Sequence, residues 1–342
     1  MNATKSARAK TRGPTTRPLA ARDLDAVVAI DAALNGRARR AYHERRLAAA
    51  KRAPELHAQF AVEEGQSVTG YVLGKVLEGE FGRSEPAIRL EVIAVSPDAQ
   101  GHGDGLALCG ALEAEARRRG IRELRTGASW HDHRMLQFLH HAGWSLGSNH
   151  VIGCRLAEAT LGSASEEPVV VEERERPADQ HDYSQPAAND FETLARDLAD
   201  VRSLSAKDLE AVVRIDRRLT GRDRSTYMKH RLEEALADSG IRVSLVARIE
   251  NSVAGYLMAS ADYGDFGRAE PVAIIDTIGV DPGFAHRGVG HALLSQLLIN
   301  LGALRIERVE TVLAKENLDL LAFFYAAGFG PSDRLAFVKQ LA

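Results

Sequence analysis

The chain contains 342 residues, of which 45% are apolar and 27% charged, and its formal net charge is −3 at pH 7. These fractions are typical of a soluble globular protein, and the small charge gives no general reason to expect a nucleic-acid ligand. Two cysteines exclude a disulfide framework and a cysteine metal site. No apolar run approaches the roughly 20 residues of a membrane span.

Residues 1–16 are rich in Lys, Arg, Ala, Thr and Ser and contain no acid. We interpret them as a flexible, solvated tail, although an organelle transit sequence has a similar composition. They lack the apolar core of a secretory signal. A cytoplasmic location is therefore expected, in keeping with the small number of cysteines.

The chain contains one long internal repeat. Residues 17–156 recur at residues 202–341 with a constant offset of 185 positions. For example, Gly79–Arg83 reads Gly-Glu-Phe-Gly-Arg, and Gly264–Arg268 reads Gly-Asp-Phe-Gly-Arg. A repeat of this length is a whole domain, because solenoid units are only roughly 20–50 residues long.

The repeat predicts an N-terminal domain at residues 17–156 and a C-terminal domain at residues 202–342. Between them, residues 157–201 contain a stretch rich in Glu, Pro, Gln and Asp, which is typical of a flexible linker. We expect a monomer with two pseudo-dimeric domains, or a homodimer of such chains.

Both repeats predict the same elements in the same order. A helix with Leu24, Val27 and Ile30 on one face is followed by an Arg-rich helical stretch and then by two strands joined at a turn. A further strand, at residues 88–95 and again at 272–280, leads into a Gly-rich loop and an amphipathic helix. A short strand, a helix and a terminal strand complete the repeat. The pattern predicts an α/β fold with a mixed sheet in each domain.

The Gly-rich loop at residues 100–105, and its counterpart at 285–290, carries the predicted chemistry. Its glycines leave backbone N–H groups accessible at a helix N-terminus, where the dipole is positive and a pyrophosphate can bind. Neither loop continues into the Gly-Lys-Ser/Thr of a P-loop. Leu106 and Leu293 stand where a dinucleotide fingerprint needs its third glycine.

The loop resembles motif A of the GNAT superfamily of N-acyltransferases, Gln/Arg-x-x-Gly-x-Gly/Ala, which binds the pyrophosphate of coenzyme A. Gln100, Gly103 and Gly105 match the motif fully. The second repeat keeps both glycines but has Ala285 at the leading polar position. The resemblance covers both repeats and implies an α/β (α+β) protein of two tandem GNAT-type domains, each with a mixed, mostly antiparallel twisted sheet flanked by helices.

The resemblance implies transfer of an acetyl group from acetyl-CoA, as co-substrate, to a primary amine by direct attack and without a metal ion. The expected amine acceptor is a small molecule or a protein, and neither a nucleic acid nor a membrane is expected as a partner. The alternative is a non-catalytic acyl-CoA-binding regulatory module. The residues expected to bind acetyl-CoA are Val280, His286, Arg287, Gly288, Val289 and Gly290 in the second repeat, and Val95, Gln100, Gly103 and Gly105 in the first.

Asp276 and its counterpart Glu91 lie four residues before the end of the strand that precedes the loop. The resemblance implies that a carboxylate here accepts the proton of the amine, directly or through water. Burial is expected to raise its pKa toward a range useful to a base. The alternative is a structural ion pair with Arg83 or Arg268.

Tyr325 is the predicted proton donor to the departing thiolate. It belongs to the segment Phe323–Phe329, which resembles the family's Phe-Tyr-x-x-x-Gly-Phe signature. His140 occupies the same place in the first repeat. The alternative for Tyr325 is an ordinary helix aromatic that packs on the core.

The loops predict that the second repeat contains the main active site. Asp104 would place an unpaired negative charge beside a pyrophosphate bound to the first loop. The second loop has Val289 at that position, and His286 and Arg287 add positive charge. The first repeat is therefore expected to be partly degenerate.

An Arg-rich segment between the first two helices is the predicted acceptor wall. An arginine pair here would bind a carboxylate or phosphate of the acceptor. The alternative is a solvated arginine face that forms salt bridges with Asp31 or Asp216. Two histidines and an aspartate at 131–133 are too few for a metal site without a further ligand. The loop that contains Phe266 is expected to line the acceptor cleft or, alternatively, a domain interface. The predicted substrate-binding residues are Arg222, Arg224, Tyr227 and Phe266.

Overall fold

A computed structural model describes residues 14–79, 81, 85–156, 199–237, 243–263 and 271–342. Most of the predicted tail and linker lies outside these ranges, and so does Phe266. Within them, no helix combines the length and the apolar character needed to cross a bilayer.

The first repeat forms helices where its apolar residues recur at a helical period and strands where they alternate. The first helix ends at Gly36, whose φ of 73° suits glycine at a helix C-terminus. The elements of this repeat are β1 (Thr15–Pro18), α1 (Leu24–Asn35), α2 (Arg40–Arg52), β2 (His57–Glu64), β3 (Ser67–Leu77), β4 (Ala87–Val95), α3 (Asp104–Arg118), β5 (Glu123–Ser129), α4 (His133–His141), β6 (Ser145–Leu146) and β7 (His150–Arg155).

The second repeat follows the same order. Its first helix ends at Gly221, which has a φ of 69°. The elements are β8 (Asp200–Ser203), α5 (Leu209–Thr220), α6 (Ser225–Ala237), β9 (Leu245–Ile249), β10 (Ser252–Tyr263), β11 (Pro271–Val280), α7 (Val289–Ala303), β12 (Arg308–Leu313), α8 (Leu318–Ala326), β13 (Gly330–Pro331) and β14 (Arg334–Gln340).

The strands form two seven-stranded sheets flanked by helices. The strand order is β1-β2-β3-β4-β5-β14-β6 in the first sheet and β13-β7-β12-β11-β10-β9-β8 in the second. Among the described residues, the parallel pairs are β4 with β5 and β11 with β12, and the other neighbours are antiparallel. The predicted fold class, a mixed and mostly antiparallel sheet in each of two repeats, is confirmed.

The two repeats exchange their terminal strands. β7, which ends the first repeat, pairs with β12 of the second repeat through six residue pairs, from His150–Leu313 to Arg155–Arg308. β14, which ends the second repeat, pairs with β5 of the first through seven residue pairs. Each sheet therefore takes its terminal long strand from the other repeat, and the boundaries of the sheets differ from those of the sequence repeats.

Each sheet packs its own core against one long helix. Leu108 and Leu112 of α3 are fully buried in the first core, and Leu293 and Leu297 of α7 in the second. The exchanged strands add side chains to these cores, since Phe337 of β14 lies in the first and Ile152 of β7 in the second. Phe81, which follows β3, also lies in the second core. The repeats are therefore joined by shared hydrophobic packing as well as by strand pairing.

Candidate functional site

The Gly-rich loop of the second repeat opens at the N-terminus of α7. Gly288 is the N-cap and has a φ of 74°, a left-handed conformation that glycine adopts without strain. The first N–H groups of a helix have no acceptor within it, so those after Gly288 can bind an anion. Arg287 is exposed beside them, with its guanidinium 5.6 Å from the centre of the Phe284 ring. His286 is also exposed and has a φ of 60°.

The loop of the first repeat has the same shape. Gly103 is the N-cap of α3, with a φ of 95°. Gln100 donates a hydrogen bond from Nε2 to the carbonyl of Val95 at 3.1 Å and so ties the loop to the end of β4. A side chain at Gly105 would come within 2.8 Å of the Phe138 ring, so this position needs glycine for close packing. Both loops therefore present helix N-termini of the kind that bind phosphate.

The residue between the two glycines points into the protein in both repeats. Val289 is buried against the second sheet. Asp104 is also buried, and its carboxylate accepts a hydrogen bond from the Thr69 hydroxyl at 2.5 Å. The Thr69 hydroxyl is neutral, so this hydrogen bond holds the Asp104 carboxylate without neutralising its charge. Its negative charge lies in the first turn of α3, where it offsets the positive helix end.

The strand that leads to each loop separates from its parallel neighbour. β11 pairs with β12 only from Val272 to Ile274, and β4 pairs with β5 only at Ile88 and Arg89, within the described residues. The two strands of each pair diverge beyond these positions toward the loop. Each repeat therefore has a gap between these two strands, and the gap begins near the helix N-terminus and extends into the sheet.

Asp276 and Glu91 each occupy the extra position of a β-bulge. In β11, Ile275 and Thr277 pair with adjacent residues of β10, which leaves Asp276 unmatched. In β4, Glu91 is left unmatched in the same way opposite Leu73 and Gly74. Bulges re-aim side chains and are frequent beside active sites. Both carboxylates are buried and reach the same cavity.

The Asp276 carboxylate is held by arginine. Arg231 of α6 approaches its Oδ2 at 2.8 Å, and Arg89 of the first repeat lies 3.7 Å from its Oδ1. Burial alone would raise the pKa of Asp276, but the charges of Arg231, Lys75 and Arg89 outweigh burial and lower it. The predicted rise in this pKa is therefore wrong. Glu91 has an equivalent partner in Arg46 of α2.

Tyr325 lies on the outer face of α8, with 44% of its surface exposed. Phe323, two residues earlier, contacts α7, since its ring centre lies 5.0 Å from that of His291. Consecutive helical residues are about 100° apart, so Tyr325 faces away from α7 and its loop. The fully buried aromatic ring of this segment is Phe324. The role of Tyr325 as proton donor stays a prediction, and its position does not favour it.

Arg224, one of the two predicted acceptor arginines, has a structural role. Arg224 is buried and binds both Asp216 oxygens, at 2.5 and 3.1 Å. Its Nη1 also donates to the carbonyls of Glu78 and Gly79 of the first repeat, at 2.5 and 2.8 Å. The alternative interpretation, an ion pair with Asp216, therefore describes Arg224, which also joins the repeats.

The other predicted acceptor residues do not assemble around Arg224 as a binding site. Arg222 is exposed, whereas Tyr227 is buried with its ring centre 5.6 Å from the Arg224 guanidinium carbon. Neither residue lines the cavity that contains Asp276. Phe266 lies outside the described residues, but its counterpart Phe81 does line that cavity.

The cavity of about 180 Å³ lies between the two repeats. A cavity of about 150 Å³ can hold benzene, so this one has room for a small molecule. Charged side chains from both repeats line it. They include Arg46, Lys75 and Glu91 from the first repeat and Arg231, Glu234 and Asp276 from the second.

Ion pairs between the repeats surround the cavity. Lys75 of β3 donates to Glu234 of α6 at 2.7 Å, and His57 of β2 lies 3.9 Å from the same carboxylate. Burial and the charge of Arg231 lower the pKa of Lys75 to about 8. Burial and the charge of Arg46 lower the pKa of His57 to about 3, so its ring is neutral at pH 7.

We expect the buried His57 to make folding stability depend on pH. Its folded pKa of about 3 is below the ordinary value of 6.5, so the unfolded chain binds more protons between these values. The stability due to neutral His57 is therefore complete above pH 6.5 and falls by up to about 1.4 kcal/mol per pH unit below it. Urea unfolding at pH 7.0, 6.0 and 5.0 measures this slope. His57→Gln should reduce it, and the exposed control His131→Gln should not. An unchanged slope in His57→Gln would contradict the assignment.

The arginines of the cavity were not identified from sequence, although one signal was available. Arg46 and Arg231 occupy equivalent positions of the repeat, as do Glu91 and Asp276. A cation and an acid that recur together in both copies would have indicated an ion pair. Arg89 gave no such signal, because Ile274 is its counterpart. No group of three or more potential metal ligands occurs in the part of the chain that the structure describes.

Comparison with known proteins identifies related folds. A sequence model of the acetyltransferase (GNAT) family matches the chain twice, at residues 25–144 and 209–329. No curated protein sequence matches it. Among solved structures, a tandem GNAT protein from the clavulanic acid biosynthesis pathway is 19% identical with a TM-score of 0.60, over 96% of this chain and 98% of that one.

Two further structures share the fold. One is a glucosamine N-acetyltransferase region of a fungal multi-domain GH3 β-N-acetylglucosaminidase, 16% identical with a TM-score of 0.57. That match covers 95% of this chain but 38% of the fungal one, so the present chain spans less than half of its length. The other is a GCN5-related N-acetyltransferase from Sphaerobacter thermophilus, 15% identical with a TM-score of 0.51, over 96% and 95% of the two chains.

Proposed function

Because the chain belongs to the acetyltransferase (GNAT) family, we propose that it transfers an acetyl group from acetyl-CoA to a primary amine, mainly at the loop of the second repeat. The observation that carries this proposal is the open helix N-terminus at Gly288 beside the gap between β11 and β12. The helix N-terminus would bind the pyrophosphate of acetyl-CoA. The gap would hold the part of acetyl-CoA that links the pyrophosphate to the thioester.

The second loop has the more favourable charge for acetyl-CoA. Val289 leaves the first turn of α7 without an acid, and Arg287 is exposed beside it. In the first repeat, Asp104 already places a carboxylate at the corresponding helix end. A pyrophosphate there would meet a like charge, at a cost of about 1 kcal/mol or more. We therefore propose the second repeat as the main active site and the first as partly degenerate.

The reaction needs a neutral amine, an acceptor for the proton that the nitrogen loses and a donor for the proton that the sulfur gains. The amine nitrogen attacks the thioester carbonyl, a C–N bond forms, and the C–S bond then breaks to release the coenzyme A thiolate. The nitrogen loses a proton, and the sulfur gains one. Since its neighbours lower the pKa of Asp276, this carboxylate is a weak base and serves mainly to orient the amine by accepting its hydrogen bond.

Alanine substitutions at the twin N-cap glycines test which loop is used. Alanine at the positive φ of Gly288 costs roughly 1–2 kcal/mol, so we expect the loop to leave its binding conformation in most molecules and kcat/KM for acetyl-CoA to fall about tenfold. Gly103→Ala imposes the same change on the first loop and should alter kcat/KM less than threefold. Release of coenzyme A thiol in the presence of an amine is the measurement.

Gly221→Ala is the control, because Gly221 also has a positive φ and open space around it but lies outside both loops. A larger loss in Gly103→Ala than in Gly288→Ala would move the main site to the first repeat. Binding of acetyl-CoA with no thiol release with any amine would instead support the alternative, a regulatory acyl-CoA-binding module.

A further inference from the structure

Close ion pairs or hydrogen bonds hold the acids of the cavity between the repeats, and Asp276 differs from the others at one of its two oxygens. Glu91 is bound by Arg46 and, at 2.8 Å, by Arg89. Glu234 is bound by Lys75 and Arg231, each at 2.7 Å. Glu310 accepts a hydrogen bond from Ser332 at 3.1 Å. These three side chains therefore have their charge or their hydrogen bonds satisfied within the protein.

The exception is Oδ1 of Asp276. Arg231 and the Ser260 hydroxyl both approach the other oxygen, Oδ2, at 2.8 and 3.4 Å. Oδ1 is buried and has no hydrogen-bond partner among the described residues, and the Arg89 guanidinium lies 3.7 Å from it. A buried carboxylate oxygen without a donor is costly, so this atom is suited to accept a hydrogen bond from an amine N–H group.

A complementary donor lies on the first sheet. Arg125 of β5 lines the cavity, and its Nε donates to Glu123. Its Nη1 is buried and has no hydrogen-bond partner within the described ranges. A guanidinium binds a carboxylate strongly because several of its N–H groups lie in one plane. The cavity thus presents an unused donor as well as an unused acceptor.

The register of the first sheet places Arg125 beside Arg89, which reaches toward Asp276. Arg89 of β4 and Arg125 of β5 are directly paired where these parallel strands begin to diverge. Both line the cavity, and Arg89 reaches toward Asp276 of the second repeat. The second repeat has Ile274 and Glu310 at the corresponding positions, so only one end of the cavity carries this arginine pair.

We propose that the cavity binds a small amine that also carries a carboxylate, as an α-amino acid does, with its amine at Asp276 Oδ1 and its carboxylate at Arg125. This inference rests on the proposed function, since it names the acceptor class of the second repeat. It also assigns a substrate-binding role to the first repeat, which supplies the carboxylate-binding arginine to a site whose loop and Asp276 belong to the second.

Matched pairs of ligands test the carboxylate. The probes are alanine with ethylamine, leucine with 3-methylbutylamine, and phenylalanine with 2-phenylethylamine, each pair differing by the carboxylate. Their equilibrium binding to the full chain is measured by calorimetry without acetyl-CoA, and their kcat/KM by thiol release with it. For at least one pair, the amino acid should have an affinity and a kcat/KM at least tenfold higher than those of the matching amine.

Arg125→Gln should remove this preference by lowering the affinity for the amino acids about tenfold or more. Arg118→Gln is the control, because Arg118 also pairs with a nearby glutamate in its own element but is exposed and lies outside the cavity. It should keep the preference. Circular dichroism of both variants confirms that they are folded.

The two proposals fail in different ways. An amino-acid preference in binding that is lost in Arg125→Gln, without thiol release, would support the cavity assignment and count against the proposed function. Thiol release that is equal for both members of every pair would support the function and overturn the cavity assignment. Absence of binding by every amino acid, or a preference that survives Arg125→Gln, would also overturn it.

Discussion

Residues 199–342 expressed alone will not form a folded monomer. The second sheet would lack β7, which lies between β12 and β13, and with it the buried side chains of Ile152 and Cys154. β14 would have no sheet to join, since its partners β5 and β6 belong to the first repeat. Full burial of one large apolar side chain contributes about 1.5–3 kcal/mol, so these losses are comparable with the whole stability of a domain.

A cleaved full-length chain is the matched control for this deletion. A protease site inserted between residues 157 and 198 cuts the chain without removing either exchanged strand. The two fragments should stay together on size-exclusion chromatography and keep the circular dichroism of the intact chain. The isolated fragment should be unfolded or aggregated by both measurements. A folded, monomeric fragment with a cooperative unfolding transition would show that the strand exchange is dispensable.

Arg231→Met should lower the free energy of unfolding by about 3–5 kcal/mol, the cost of leaving a buried charge without its partner. Arg231 binds Asp276 at 2.8 Å and Glu234 at 2.7 Å, and all three side chains are largely buried. The change leaves Asp276 with Arg89 at 3.7 Å and the Ser260 hydroxyl at 3.4 Å. Urea unfolding at pH 7 measures the effect.

A second substitution separates the charge from the packing. Asp276→Asn in the Arg231→Met background removes the uncompensated charge and should restore part of the lost stability. Arg118→Met removes an exposed pair and should cost less than about 1 kcal/mol. A loss below about 1 kcal/mol in Arg231→Met would mean that water or the remaining cations solvate Asp276, and its pKa would then not be governed by Arg231.

The sequence predicts local structure well where a residue type has one physical role. The glycines at 103 and 288 indicated the helix-terminal loops because few other residues tolerate a positive φ there. The terminal strands were also predicted as strands. Their exchange was not, because an alternating pattern specifies a strand and its buried face without specifying the sheet that it joins.

The environment of Asp276 was harder to predict than its position. The place of a carboxylate before the loop follows from the aligned repeats. Its pKa depends on Arg231, which lies on another helix, and on Lys75 and Arg89, which come from the other repeat. The local sequence indicates that the side chain is buried, and burial would raise its pKa. It does not indicate the distant charges, which lower the pKa. The same limit applies to Arg224, whose partners include the carbonyls of Glu78 and Gly79.

The strand exchange also sets the order in which the protein can fold during synthesis. When the first repeat has left the ribosome, β5 still lacks its neighbour β14, which belongs to the end of the second repeat. Domains normally fold as units, N-terminal first, whereas here neither sheet is complete until the second repeat has been synthesised. The unpaired edge of β5 is a site for aggregation during that interval. The first sheet can therefore be completed only after the second repeat has been synthesised.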